Sequence, residues 1–135
     1  MRQFTIRSER KIHAMDVTEQ VAQGVPAEAQ GAVHVFTPHT TVSLMLGENE
    51  ENLMGDLERV AAHLLDHCGP FRHCGNGNPN APAHLLSSLA GASQFIPVQG
   101  GRLQLGRYQR ILLVDLDGPK ERRVFVTFLA AGEEG

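Results

Sequence analysis

Aromatic residues are scarce in this chain of 135 residues: they make up 5%, with no tryptophan and a single tyrosine. Few rings are available to stack on bases. The net charge is −3, and basic residues are scattered apart from Lys120, Arg122 and Arg123, so no cationic face is expected. Both shortages argue against nucleic-acid binding. No apolar run approaches the roughly 20 residues that a membrane helix needs. Met1-Arg2-Gln3-Phe4 alternates like a strand and lacks the apolar core of a signal peptide, so no membrane partner and a cytoplasmic address are expected. The two cysteines, Cys68 and Cys74, are then expected as reduced thiols. A glycine-rich phosphate loop is missing too: Gly75-Asn76-Gly77-Asn78 has no lysine and hydroxyl after it. Ser87-Ser88 lacks the surroundings of a nucleophile elbow, which argues against a serine hydrolase.

What is present suffices for one domain spanning residues 1–135. The hydrophobic share of 41% supports a core without help from disulfide or metal, and folding should bury roughly two-thirds of the unfolded surface. There is no repeat, linker or low-complexity tract. Gln3 to Ser8 and Lys11 to Met15 read as a pair of strands around a turn at Glu9-Arg10. Asp16-Val17-Thr18-Glu19 has capping-box spacing and opens a short helix to about Gly24. Gly31 reads as a turn residue, and Ala32 to Phe36 and Thr41 to Leu46 are β-rich runs parted by Thr37-Pro38-His39-Thr40.

Glu50 to His67 is the clearest helix, with an apolar stripe of Leu53, Leu57, Val60, Ala61, Leu64 and Leu65 at offsets of three and four. Asn49 is expected to cap it. Asn80 is expected to cap a second long helix, Ala81 to Leu89, in which Pro82 is tolerated in the first turn. Gln94 to Val98, a Gly100-Gly101 turn and Leu103 to Leu105 follow. Arg110 to Leu116 and Arg122 to Leu129 are apolar enough to be central strands, joined as a hairpin through Asp117-Gly118-Pro119. About eight strands and three helices make an α+β fold with largely antiparallel pairing.

Polar groups that do chemistry gather where such elements end. Of the seven histidines, His34 lies inside a strand and is expected to face solvent or a subunit contact. His63 and His67, one helical turn apart, read as a solvated helix end, because a zinc-protease pattern would need a glutamate where Leu64 stands. The His67-Cys68 and His73-Cys74 pairs have the wrong spacing for a zinc knuckle and no second cysteine pair. His39 is held by Pro38 and followed by two threonines. Such a stiff segment could aim a ligand or base, or could be a turn bonded to a nearby carbonyl. His84, in a first helical turn, could bind metal or accept a proton, and the amides around it suit a phosphate. Glu48, ahead of the long helix, could serve as general base in the same cleft as His39. Asp115, inside an apolar strand, is costly to bury unpaired: it either pairs with Arg122 or Arg123 or lines a site.

Thr37 to Thr41, Glu48-Asn49, Arg72-His73, Asn80 to Leu85 and Gly101 to Gly106 occur in the order found in one family. On these segments the chain resembles the YjbQ-like proteins, also called the secondary thiamine-phosphate synthase family. The resemblance implies a homotrimeric sandwich with polar sites near subunit boundaries. It implies a divalent ion, zinc or magnesium, on His39, His73 and His84. It further implies Glu48, Asn49 and His84 in catalysis, with Thr40, Asn80, Gln109 and Asp115 around a small phosphorylated substrate. The reaction implied joins a pyrimidine methyl diphosphate to a thiazole phosphate. Gly47, Cys74, Tyr108 and Asp115 stand where the family commonly has Asn, Asn, Trp and Glu. The leading expectation is a metal-assisted enzyme, and the alternative is a non-catalytic trimer that binds a small anion or metal.

Overall fold

A computed structural model describes residues 1–67, 69–72 and 80–132. Among them eight strands and three helices follow one another: β1 (Arg2–Arg7), β2 (His13–Asp16), α1 (Thr18–Ala22), β3 (Gly31–Phe36), β4 (Val42–Gly47), α2 (Glu51–His67), α3 (Ala81–Ala90), β5 (Ser93–Gln99), β6 (Arg102–Leu103), β7 (Arg110–Asp115) and β8 (Glu121–Ala130). All strand pairs are antiparallel. They form a five-stranded sheet in the order β1-β8-β3-β5-β6 and a three-stranded sheet in the order β2-β7-β4. The α+β expectation holds.

The layering follows from the period of two along β7. Ile111 and Leu113 join Val33, Val35, Val124 and Val126 in a core between the sheets. Leu112 and Val114, on the other face of the strand, pack with Ala61 of α2 and Ala83 of α3 in a second core. A strand buried on both faces must read as a continuous apolar run, and Ile111-Leu112-Leu113-Val114 does. At about 25 cal/mol per Å² of apolar surface, each such fully buried side chain contributes about 1.5–3 kcal/mol.

Two expected strand pairs do not form. β1 joins β8 in the larger sheet while β2 joins β7 in the smaller one, so the first two strands are no hairpin. β7 and β8 are central, as expected, yet they too lie in different sheets. The Asp117-Gly118-Pro119 segment carries the chain from one layer to the other. It passes so close to β1's end that a Cβ on Gly118 would lie 2.3 Å from the Ser8 hydroxyl. By contrast the β5–β6 hairpin forms at Gly100-Gly101, whose φ values of 59° and 75° suit the tight turn between right-twisted strands.

Helix starts differ in detail from the expectation. Glu50, not Asn49, caps α2, its carboxylate accepting from the amides of Asn52 (3.1 Å) and Leu53 (2.8 Å). α1 begins at Thr18, because Asp16 closes β2 and accepts from the Thr18 amide. The apolar stripe of α2 is only half used: Met54, Leu57 and Ala61 meet the small sheet, whereas Leu53, Val60 and Leu64 stay exposed. Three strands and one neighbouring helix are too narrow to cover the whole stripe. No helix among the described residues is long and apolar enough to cross a membrane.

Candidate functional site

The Thr37-Pro38-His39 segment leaves β3 just where its pairing with β8 would continue. Phe36 stands opposite Phe125, so the next step in register puts Pro38 opposite Arg123. Proline has no N–H to give the ladder. Side chains replace it: the buried Thr37 hydroxyl donates to the Arg123 carbonyl (3.0 Å), and His39 Nε2 accepts from the Arg123 amide (2.9 Å). His39 is therefore bonded to a nearby main chain, but to an amide rather than a carbonyl. Partial burial, followed by the charges of Arg122 and Arg123, lowers its pKa below the ordinary imidazole value.

α3 packs against β4 from the other side. Ser87 donates to the Val42 carbonyl (2.5 Å), and Ser43 donates to the Gly91 carbonyl (2.6 Å). This docking brings His84 to the same open cleft, of about 430 Å³, as His39 and Thr40. His84 also borders a second cleft, of about 320 Å³, with Phe71, Arg72 and Leu85. Two histidines that lie 45 residues apart in sequence thus line one cavity, and Arg72 lines the one next door. Arg72, for which the sequence alone suggests no role, joins the site through this cleft. Its signals are its membership of the Arg72-His73 segment that carries the resemblance and its place shortly before the helix that holds His84.

Other expected site residues lie elsewhere. Glu48 and Asn49 are exposed at the far end of β4, roughly 17 Å of strand away at about 3.3 Å per residue. They do not face the His39 cleft of the same chain, which corrects that expectation: a six-residue strand separates the two ends. Asn49 donates to Asp16 (3.0 Å), which also accepts from Arg110 (2.7 Å). Gln109 lies at that end too, its side-chain oxygen accepting from the Gly106 amide (2.7 Å). Asn80 occupies the N-cap position of α3 without capping it. Its amide donates instead to Asp117 (3.0 Å), and it lines a separate cleft of about 270 Å³ with Lys11 and Asp66.

Of the two roles expected of Asp115, pairing with Arg122 is the one the structure shows, and the residue acts as a structural clamp. It is 0% exposed, and its carboxylate accepts from Ser8 (2.7 Å), from Arg122 Nε and Nη2 (2.9 Å each) and from the Asp117 amide (3.0 Å). Arg122 also donates to Thr41 (2.9 Å), so the pair ties the two sheets together directly behind His39. Burial alone would raise the Asp115 pKa, but the bonds from Arg122, Ser8 and the Asp117 amide hold it below the ordinary carboxylate value.

The divalent ion implied by the resemblance meets a difficulty at His39. A metal-binding histidine normally donates its second ring N–H to a carbonyl or carboxylate. His39 accepts a hydrogen bond there instead, so as placed it does not fit the role. His73 lies outside the described residues, and among those described no group of three His, Cys, Asp or Glu residues is gathered to hold a metal. His63 and His67 stack at 4.0 Å on the exposed end of α2, as a solvated helix end would.

Comparisons with known proteins agree with this architecture. Residues 2–131 match the family described as UPF0047 protein YjbQ-like. A UPF0047 protein of Archaeoglobus fulgidus is 37% identical over 94% of this chain and 99% of its own length. The UPF0047 protein YugU of Bacillus subtilis is 28% identical over 96% of this chain and 98% of its own. A crystal structure of a hypothetical protein from Aeropyrum pernix superposes with a TM-score of 0.86 at 38% identity, covering 96% of this chain and 97% of that one. With the match spanning nearly every residue and the fold shared, the chain belongs to the YjbQ-like UPF0047 family.

Proposed function

We propose that the adjoining clefts around His84 bind a small phosphorylated molecule, and that the protein acts on it as a transferase of the thiamine-phosphate synthase type. The observation that supports this is the convergence of His39, Thr40, His84 and Arg72 on two joined cavities. In such a reaction a ring nitrogen attacks the methylene carbon of a pyrimidine methyl diphosphate. The new C–N bond forms as the C–O bond to diphosphate breaks, and the electron pair leaves with the diphosphate. Donors preorganised around those oxygens would stabilise the departing charge more than the bound substrate. Phe71 and Leu85, beside Arg72, offer an apolar wall for a ring.

Glu48 could act on a substrate in this cleft only from a neighbouring copy, because within one chain it stands at the other end of β4. Self-association as a homotrimer is therefore part of the proposal. The outer face of the five-stranded sheet supports it. His34, Phe36, Phe95 and Phe125 make ring contacts there, and Phe95 is 62% exposed, on a face that solvent alone would favour as polar. Phe36 also borders the His39 cleft, so a copy docked on this face would reach the site.

Calorimetry with inorganic diphosphate tests the binding step: His84→Ala and Arg72→Ala should each weaken binding about tenfold, the loss of one charge-assisted contact. Undetectable binding by the unsubstituted protein would reject the reading. The exposure of Glu48 favours a second reading, a trimer that binds the anion without turning it over. Thiamine-phosphate formation by wild type and Glu48→Gln separates the two, since equal and negligible rates would leave binding alone.

A further inference from the structure

We propose that His39 serves the cleft as an N–H donor to a bound oxyanion and not as a metal ligand, its proton held on Nδ1 by the main-chain amide of Arg123. This rests on the anion-binding function proposed above and adds the chemical state of one of its residues. A neutral imidazole has one donor nitrogen and one acceptor. At His39 the acceptor is already assigned, because Nε2 takes the Arg123 amide at 2.9 Å. The ring proton must then sit on Nδ1. A metal would need a lone pair on that same nitrogen, which would move the proton to Nε2, against the amide hydrogen of Arg123.

The backbone gives Nε2 little freedom to change. Thr37, two residues earlier, fixes the same stretch of β8 by donating to the Arg123 carbonyl, and its own amide donates to the Ala92 carbonyl (3.0 Å). Pro38 between them cannot substitute for either contact. Charge points the same way. The ionised groups that act on His39 are Arg122, Arg123, Lys120 and Asp115. Asp115 is paired with Arg122, and Lys120 lies 3.2 Å from Asp117, which leaves the Arg123 guanidinium, set over the Phe125 ring, without a carboxylate in this group. No aspartate or glutamate lines the cleft among the described residues. A divalent cation would enter a field of excess positive charge, whereas a phosphate would be welcomed by it.

Nitrogen-15 NMR of the histidine-labelled full chain near pH 7.5 decides the matter, with the His39 signals identified by their loss in His39→Gln. The unsubstituted protein should show His39 as the Nδ1–H form. Inorganic diphosphate should shift its Nδ1 signal, and added zinc should leave both ring nitrogens in place. A proton on Nε2, or a zinc-dependent shift typical of a coordinated nitrogen, would overturn the inference while leaving anion binding to be judged by calorimetry. Diphosphate that binds without moving the His39 signals would overturn it as well. The tautomer and both titrations are read on the unsubstituted protein, and if His39→Gln does not fold, the His39 ring is identified instead by its coupling to the Arg123 amide that it accepts from.

Discussion

Two aspartates clamp the small sheet, one at each end, and they teach opposite lessons. Asp115, behind His39, is fully buried and satisfied by four hydrogen bonds from three residues, two of them from Arg122, itself 4% exposed. Asp16, beside Asn49, holds Arg110 at 2.7 Å, but that arginine is half open to solvent and shared with the exposed Glu19. The same residue types therefore play different parts. At the cleft end the buried pair frees the surface for a ligand and fixes the strands that aim His39. At the far end the polar residues are largely occupied with one another.

Breaking the buried clamp should have the largest effect. Asp115→Ala leaves the Arg122 guanidinium buried and unpaired, for which a loss of about 3–5 kcal/mol is expected in urea unfolding. A loss below about 1 kcal/mol would mean that water or another group reaches Arg122, and the contrast with Asp16 would vanish.

Acid should then expose the same difference. The Asp115 pKa is lowered by folding, so the stability it contributes is fully present above the unfolded value, about 4, and is lost as pH falls through the lower folded value. Asp16 and Asp117 shift in the same direction. Urea midpoints measured from pH 6 down to pH 2 should fall in wild type and fall less steeply in Asp115→Asn. Parallel profiles would show that another carboxylate dominates.

Asp16→Ala should have the smaller effect, about 1 kcal/mol, since its partners are solvated and only local amide and arginine bonds are lost. Thermal unfolding can measure it. Phe95→Glu should scarcely change the stability of the single chain, about 0.5 kcal/mol or less for an exposed position, but it should shift sedimentation away from three times the 14.7 kDa chain mass. A wild-type protein that sediments as one chain would remove the trimer from the proposal.

Much of the local structure was legible in the residues. The unbroken apolar run of β7 marked a strand covered on both faces, and the three-and-four spacing of α2 marked a helix. Gly100-Gly101 marked a hairpin, and Thr37 to Thr41 with Asn80 to Leu85 pointed to a cleft that does unite His39, Thr40 and His84. What misled was adjacency. β1 and β2, like β7 and β8, are neighbours in sequence joined by turn-forming residues, yet each pair divides between layers because burying two apolar faces outweighs closing a local hairpin. Glu48 looked close to His39 for the same reason, although a strand keeps its ends apart.

The chain by itself determined where strands and helices form, since these depend on the spacing of apolar side chains and on glycine and proline at turns. Only the tertiary structure decided which sheet each strand joins, which side of α2 is covered and what Asp115 holds. Those outcomes rest on contacts such as that between Ser8 and Asp115, 107 positions apart. No local pattern records such a contact, because its energy is gained only when both layers are packed and water has been excluded between them.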